Sequence, residues 1–169
     1  MGILNYNHPD IFDFISEKTR NHNITNFNLS VGVDDEFMDL VKTDGYFRMI
    51  NPKNENNIPL EKRIWRGKNL LQKETKEYKD WFNKFDPSII LSEDGKNVIN
   101  RYNEKIVGKV DADGTILISA RELFNEISEY AWEEGCPGII FLDKLEENNK
   151  TPHIGKIEAT NPCGEQPLL

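Results

Sequence analysis

The sequence predicts an α/β fold, and three observations carry that prediction. Phe27, Leu29, Val31 and Val33 alternate with Asn28, Ser30 and Gly32, the period-two pattern of a strand, and a short amphipathic helix follows at once. Residues 119–134 open on Ser119 with Glu122 three residues later, a capping box, and carry Leu123, Phe124, Ile127, Tyr130 and Ala131 on one helical face. The apolar run Ile139-Ile140-Phe141-Leu142 comes next, the pattern of a strand buried on both faces. Strand and helix thus alternate at both ends of the chain, as in α/β architecture.

Taken in order, the first element predicted is a helix over 9–18. Pro9 near its start and Asp10 in its first turn suit the backbone and the dipole there, and Ile11, Phe12, Phe14 and Ile15 form the buried stripe. Asn21 to Asn26 is a polar break before the strand 27–33. Asp34 or Asp35 caps the next helix, whose apolar side is Phe37, Met38, Leu40 and Val41. Tyr46 to Ile50 reads as a strand ended by Asn51-Pro52. Asn54 to Pro59 reads as a loop, and a charged stretch with Trp65, Trp81 and Phe82 runs on to Phe85. After Asp86-Pro87, β-like runs at 89–91, 106–110 and 116–118 are separated by the turn signals Asp94-Gly95 and Asp113-Gly114. Residues 51–114 are expected to be an insertion-like elaboration at the periphery of a single domain, 1–169. Gly135 ends the helix 119–134, a strand occupies 138–142, and another near 156–160 leads into a terminal loop, 157–169.

Charge and cysteine content narrow the function. With 21 Lys+Arg against 29 Asp+Glu the formal charge is −8, and the densest basic patch, Lys62, Arg63, Arg66 and Lys68, lies among acidic residues. A nucleic-acid or anionic-membrane partner is not expected, because such binding needs clustered cations. No apolar run approaches the roughly 20 residues that span a bilayer. The N-terminal residues have no signal-peptide pattern and the two cysteines, Cys136 and Cys163, read as reduced thiols, so a cytoplasmic location is expected. His8, His22 and His153 share no ligand-like spacing with each other or with the cysteines, and no metal site is expected.

Chemistry concentrates in the last residues. Asn161, Cys163 and Glu165 stand at i, i+2 and i+4, which in an extended backbone places an amide, a thiol and a carboxylate on one face. On spacing alone the blander reading is favoured, a polar loop whose cysteine is a small hydrophobe. A Cys163–His153 hydrolase pair is conceivable in space, but no nucleophile elbow accompanies it.

Beyond spacing, Thr160-Asn-Pro-Cys-Gly-Glu-Gln-Pro-Leu168 resembles the active-site loop of the catalytic (large) subunit of ribonucleotide reductases, above all the adenosylcobalamin-dependent class II branch. The resemblance extends to Met1-Gly-Ile-Leu4, His8-Pro-Asp-Ile11, Asn26-Phe-Asn-Leu-Ser-Val31, Asp35-Glu-Phe-Met38, Ala131-Trp-Glu-Glu-Gly135 and Pro137-Gly-Ile-Ile-Phe141, in the family's order. It implies a portion of an α/β barrel with an elaborated middle segment, and thiyl-radical reduction of a ribonucleotide. Cys163 would abstract the ribose 3′-hydrogen as a radical and Glu165 would take the 3′-hydroxyl proton. Asn161 would position the substrate, with Thr160 and Gly164 beside it. The implied cofactor is adenosylcobalamin. The implied partners are a ribonucleotide, a dNTP or ATP effector in the full-length enzyme, the remainder of the reductase chain, and a second copy.

The sequence also departs from the family pattern. The reducing cysteine pair and the glycine-rich specificity loop lie outside these residues, and Cys136 reads as structural. The chain is therefore expected to be an internal piece of a larger reductase and inactive by itself. The alternative is a non-catalytic α/β interaction domain with a structural Cys loop.

Overall fold

A computed structural model of the chain describes residues 1–21, 24–50, 76–85 and 87–169. The loop expected at 54–59, the basic patch, Trp65, Asp86 and His22 lie outside the described residues. Three parallel strands, β1 (Gly2–Asn5), β2 (Leu29–Val33) and β8 (Gly138–Phe141), form one sheet in the order β1-β2-β8. Ser30 stands opposite Ile3 on one side and Gly138 on the other. Every residue of the central strand β2 is buried. The strand β8 differs from expectation: Gly138 and Phe141 are exposed and Ile139 and Ile140 only half-buried. Its apolar run marks a strand with one described neighbour, because apolar composition does not distinguish an edge from a centre.

Three helices pack in series, the first on this sheet and the first and second both on the third. The first, α1 (Ile11–Asn21), begins two residues later than predicted. The His8 ring accepts the Asp10 N–H at 3.1 Å and the His8 carbonyl accepts the Ile11 N–H, which holds Pro9 in a turn ahead of the helix. In α2 (Asp35–Lys42) the cap is Asp34, whose carboxylate accepts the Phe37 N–H at 2.8 Å. The helix α4 (Ala120–Glu134) is capped by Ser119, which accepts the Glu122 N–H at 3.3 Å. Gly135 closes it in the left-handed region at φ 68°. The helix α3 (Lys76–Phe85) precedes four of the five strands of the second sheet.

That second sheet is antiparallel and has five strands, in the order β3-β7-β6-β5-β4. They are β3 (Tyr46–Phe47), β4 (Ile89–Leu91), β5 (Asn97–Asn100), β6 (Ile106–Val110) and β7 (Ile116–Ser119). Both Asp-Gly dipeptides make the expected turns, with Gly95 donating to the Ser92 carbonyl and Gly114 to that of Asp111. The described part of 51–114 does more than decorate a finished domain. Ile89, Leu91, Val98 and Val107 join Ile116, Ile118, Phe12, Val31, Leu123 and Ile127 in one continuous core. The helix α1 lies on β1 and β2, α4 lies on β6 and β7, and α1 packs on α4. Among the described residues the strands form no closed barrel.

One buried carboxylate ties the second sheet to the helices. Glu126 of α4, 1% exposed, accepts hydrogen bonds from Asn100 Nδ2 at 2.6 Å and Asn103 Nδ2 at 3.0 Å. Burial raises its pKa above the ordinary 4.5, against the opposing pull of the two amides and Lys105. A folded-state pKa that is raised means extra stability below the unfolded value, lost as pH rises through the folded value. The stability of the chain relative to Glu126→Gln should therefore shrink as pH rises from the unfolded glutamate value of about 4 through the raised folded value. Urea midpoints of both proteins across that range check it, and an advantage growing with pH would overturn the assignment.

Candidate active site

The segment carrying the thiol folds as a hairpin. The strand β9 (Ala159–Thr160) pairs antiparallel with β10 (Pro167–Leu168), Thr160 opposite Pro167. Between them the Gly164 N–H donates to the Asn161 carbonyl at 3.0 Å, closing a β-turn with Pro162 and Cys163 at its centre. Proline's fixed φ suits the first central position, and Gly164 takes φ 81°, where a side chain would strain the backbone. The extended backbone expected to align Asn161, Cys163 and Glu165 is therefore replaced by a chain reversal. The same Pro and Gly that flank the thiol favour the turn.

The sequence-predicted site residues fall into two groups. Cys163, a free thiol, and Glu165 are exposed, as is Gly164. Asn161 and Thr160 hold the loop together. Asn161 Oδ1 accepts the Gln166 N–H at 2.9 Å, and its own N–H donates to the Gln166 carbonyl at 3.1 Å. Thr160, 4% exposed, donates its hydroxyl to the Asn161 carbonyl at 3.0 Å. Cys136 is half-buried ahead of β8, and His153 is exposed in a turn at 152–154 and makes no hydrogen bond to Cys163. A six-residue helix, α5 (Leu142–Glu147), follows β8 in charged sequence.

Two contacts seat the hairpin on the parallel sheet. Asn28, one residue before β2, donates from Nδ2 to the Pro162 carbonyl at 3.2 Å. Met1, one residue before β1, places Sδ 3.9 Å from the Thr160 hydroxyl. Sequence reasoning missed Asn28; its signal was its polar position in the alternation of 27–33. Among the described residues no helix is long and apolar enough to cross a membrane, and no three His, Cys, Asp or Glu side chains gather to hold a metal ion.

Comparison with known proteins bears on the whole of this arrangement. Residues 1–169 match the family described as ribonucleotide reductase, barrel domain. A vitamin B12-dependent ribonucleoside-diphosphate reductase of Thermoplasma acidophilum is 34% identical over 170 residues, covering 100% of this chain and 15% of the relative. The enzyme of the same description from Mycobacterium tuberculosis is 31% identical, covering 100% of this chain and 16% of its own length. A ribonucleoside-diphosphate reductase large subunit of Ostreid herpesvirus 1 is 40% identical over 48 residues, 28% of this chain. This chain thus spans about 15% of the length of the first of these relatives. The match takes in the parallel sheet, the middle segment and the thiol-bearing hairpin alike, and the chain belongs to the ribonucleotide reductase barrel-domain family.

Proposed function

We propose that this chain is the part of a cobalamin-dependent ribonucleotide reductase that carries the radical-bearing cysteine, and that the whole protein makes deoxyribonucleotides for DNA synthesis in the cytoplasm. The observation that carries the reading is the hairpin. An exposed thiol sits at its turn, with an amide and a carboxylate two residues to either side, on a chain matching the reductase barrel from end to end. The strands β1, β2 and β8 are read as a sector of that barrel, with the outer edges of β1 and β8 paired by the rest of the subunit.

The residues present fit a radical-generating cofactor in one respect: the Cys163 thiol is exposed, so a group bound outside this chain can reach it. When bound, adenosylcobalamin supplies the one-electron chemistry that converts the thiol to a radical. Cys163 then takes the hydrogen atom from ribose C3′. Glu165 accepts the 3′-hydroxyl proton as general base, and the 2′-hydroxyl leaves as water. A dithiol pair elsewhere in the subunit becomes a disulfide, one of its protons leaving in the water and the other going with the two electrons to C2′. The hydrogen atom returns from Cys163 to C3′, which restores the radical, and Glu165 gives its proton back to the 3′-oxygen. Asn161, its Oδ1 already engaged by Gln166, directs its NH2 group to the substrate, while Thr160 and Gly164 shape the loop. A dNTP or ATP effector and a second copy act on the whole enzyme.

Deoxyribonucleotide formation tests the reading. The intact reductase carrying this segment should form product with adenosylcobalamin and a dithiol and none without cobalamin, and the 169-residue chain alone should form none. Cobalamin-independent turnover, or turnover by the chain alone, would overturn it.

A further inference from the structure

The parallel sheet presents two unlike faces. Val31, Val33 and Ile139 point into the core, so Ser30, Gly32 and Gly138, at the alternate positions, point the other way. On that second face Gly138 leaves the Ser30 hydroxyl uncovered: a Cβ there would lie 3.1 Å from Ser30 Oγ, whereas the space over Gly32 is filled, with Asn5 Oδ1 and Leu142 Cδ1 each 2.6 Å from a Cβ built there. Ser30 is 7% exposed and no described residue hydrogen-bonds its hydroxyl. The oxygen is not sealed in: among the described residues the buried side-chain oxygen without a partner is Thr19 Oγ1, so the Ser30 hydroxyl stays open to a ligand on this face.

The thiol hairpin stands over this same face. Its two anchors, Asn28 and Met1, are at the positions in phase with Ser30 and Ile3. Ser30 follows Asn28 by two residues, about 7 Å along a strand, so its hydroxyl lies within a nucleoside's reach of the turn that carries Cys163. The side chains Ile3, Asn5, Ser30 and Ile140 of this face are uncharged, which suits sugar and base edges better than phosphates.

We infer that Ser30 is a substrate-binding residue, its hydroxyl, left uncovered by Gly138, hydrogen-bonded to the nucleoside part of the ribonucleotide. The inference rests on the proposed function. It adds a residue that neither the terminal loop nor its spacing points to.

Steady-state kinetics of the intact reductase test it. Ser30→Ala should raise KM for the ribonucleotide about tenfold and leave kcat within about twofold, the signature of one hydrogen bond made equally in ground and transition states. Gly138→Ala keeps the serine but crowds its hydroxyl at 3.1 Å, and should raise KM in the same direction. Unchanged KM in both variants overturns the inference. So does a fall in kcat at constant KM together with a lower Tm, which would mark a packing role. Cys163→Ser, assayed alongside, separates the two levels. If it is inactive while Ser30→Ala keeps a normal KM, only Ser30's role fails; if it is active, the proposed function fails as well.

Discussion

Cys163→Ser in the intact reductase is expected to reduce deoxyribonucleotide formation to the background of the assay. The substitution exchanges one atom, and the loop does not depend on that atom for its shape. The turn is closed by backbone groups of Asn161 and Gly164, braced by Asn161 Oδ1 on the Gln166 N–H, and seated by Asn28 on the Pro162 carbonyl. None of these contacts involves the Cys163 side chain, so fold and nucleotide binding should survive. On the proposed function, what is lost is the chemistry: a hydroxyl holds its hydrogen far more tightly than a thiol, so serine would neither form the radical nor pass a hydrogen atom to and from C3′. Turnover at the normal rate by this variant would remove Cys163 from the reaction and with it the proposed function.

The second large effect is on stability. Phe37→Ala should destabilise the chain by about 3–5 kcal/mol, the usual cost of emptying a buried aromatic site. Phe37 is fully buried in α2, with its ring centroid 4.5 Å from that of Tyr6 and 6.0 Å from that of Phe47. Tyr6 and Phe47 themselves meet edge to face at 5.0 Å. The cluster joins the end of β1, the helix α2 and the strand β3, so no single neighbour can collapse into the space. Burial, with Asp34 and Glu36 nearby, also pushes the Tyr6 phenol up to about 12. Against a typical total of about 5–15 kcal/mol, such a loss leaves little margin. Urea unfolding of the 169-residue chain reads it directly. Phe37→Leu, which keeps most of the volume, should lose less, and a loss under about 1 kcal/mol for the alanine would place this site outside the core.

What could be read from sequence was local. The cap at Asp34, one of two acids the sequence offers there, the helix end at Gly135 and the two Asp-Gly turns each state their structure within a few residues, and each formed. At Ser119 the bond of the expected pair that forms is the one from the Glu122 N–H to the serine hydroxyl. The strand β1 is four residues long, too short to show a period, and α5 sits in a charged run with no apolar stripe. The exposure of β8 depends on which strand lies beside it, and composition does not carry that. At the candidate site, the residue types Asn161, Cys163 and Glu165 were legible through the family's motif, while the turn around Pro162 and Cys163 that joins them was not. Asn28 and Ser30 were not singled out, because their meaning comes from the chemistry of a loop at the opposite end of the sequence.

The seat of the hairpin has a consequence for how the protein is made. Asn28 and the Pro162 carbonyl are 134 residues apart in sequence, and Met1 and Thr160 are 159 apart. Contacts of such separation close long loops, and they are rewarded only after the intervening elements have organised. During synthesis the strands β1 and β2 emerge before the hairpin and wait, with their half of the seat empty, until residues 159–168 follow. The Cys163 sulfur is thus put in position late, and a chain halted before residue 159 has the seat with nothing to fill it.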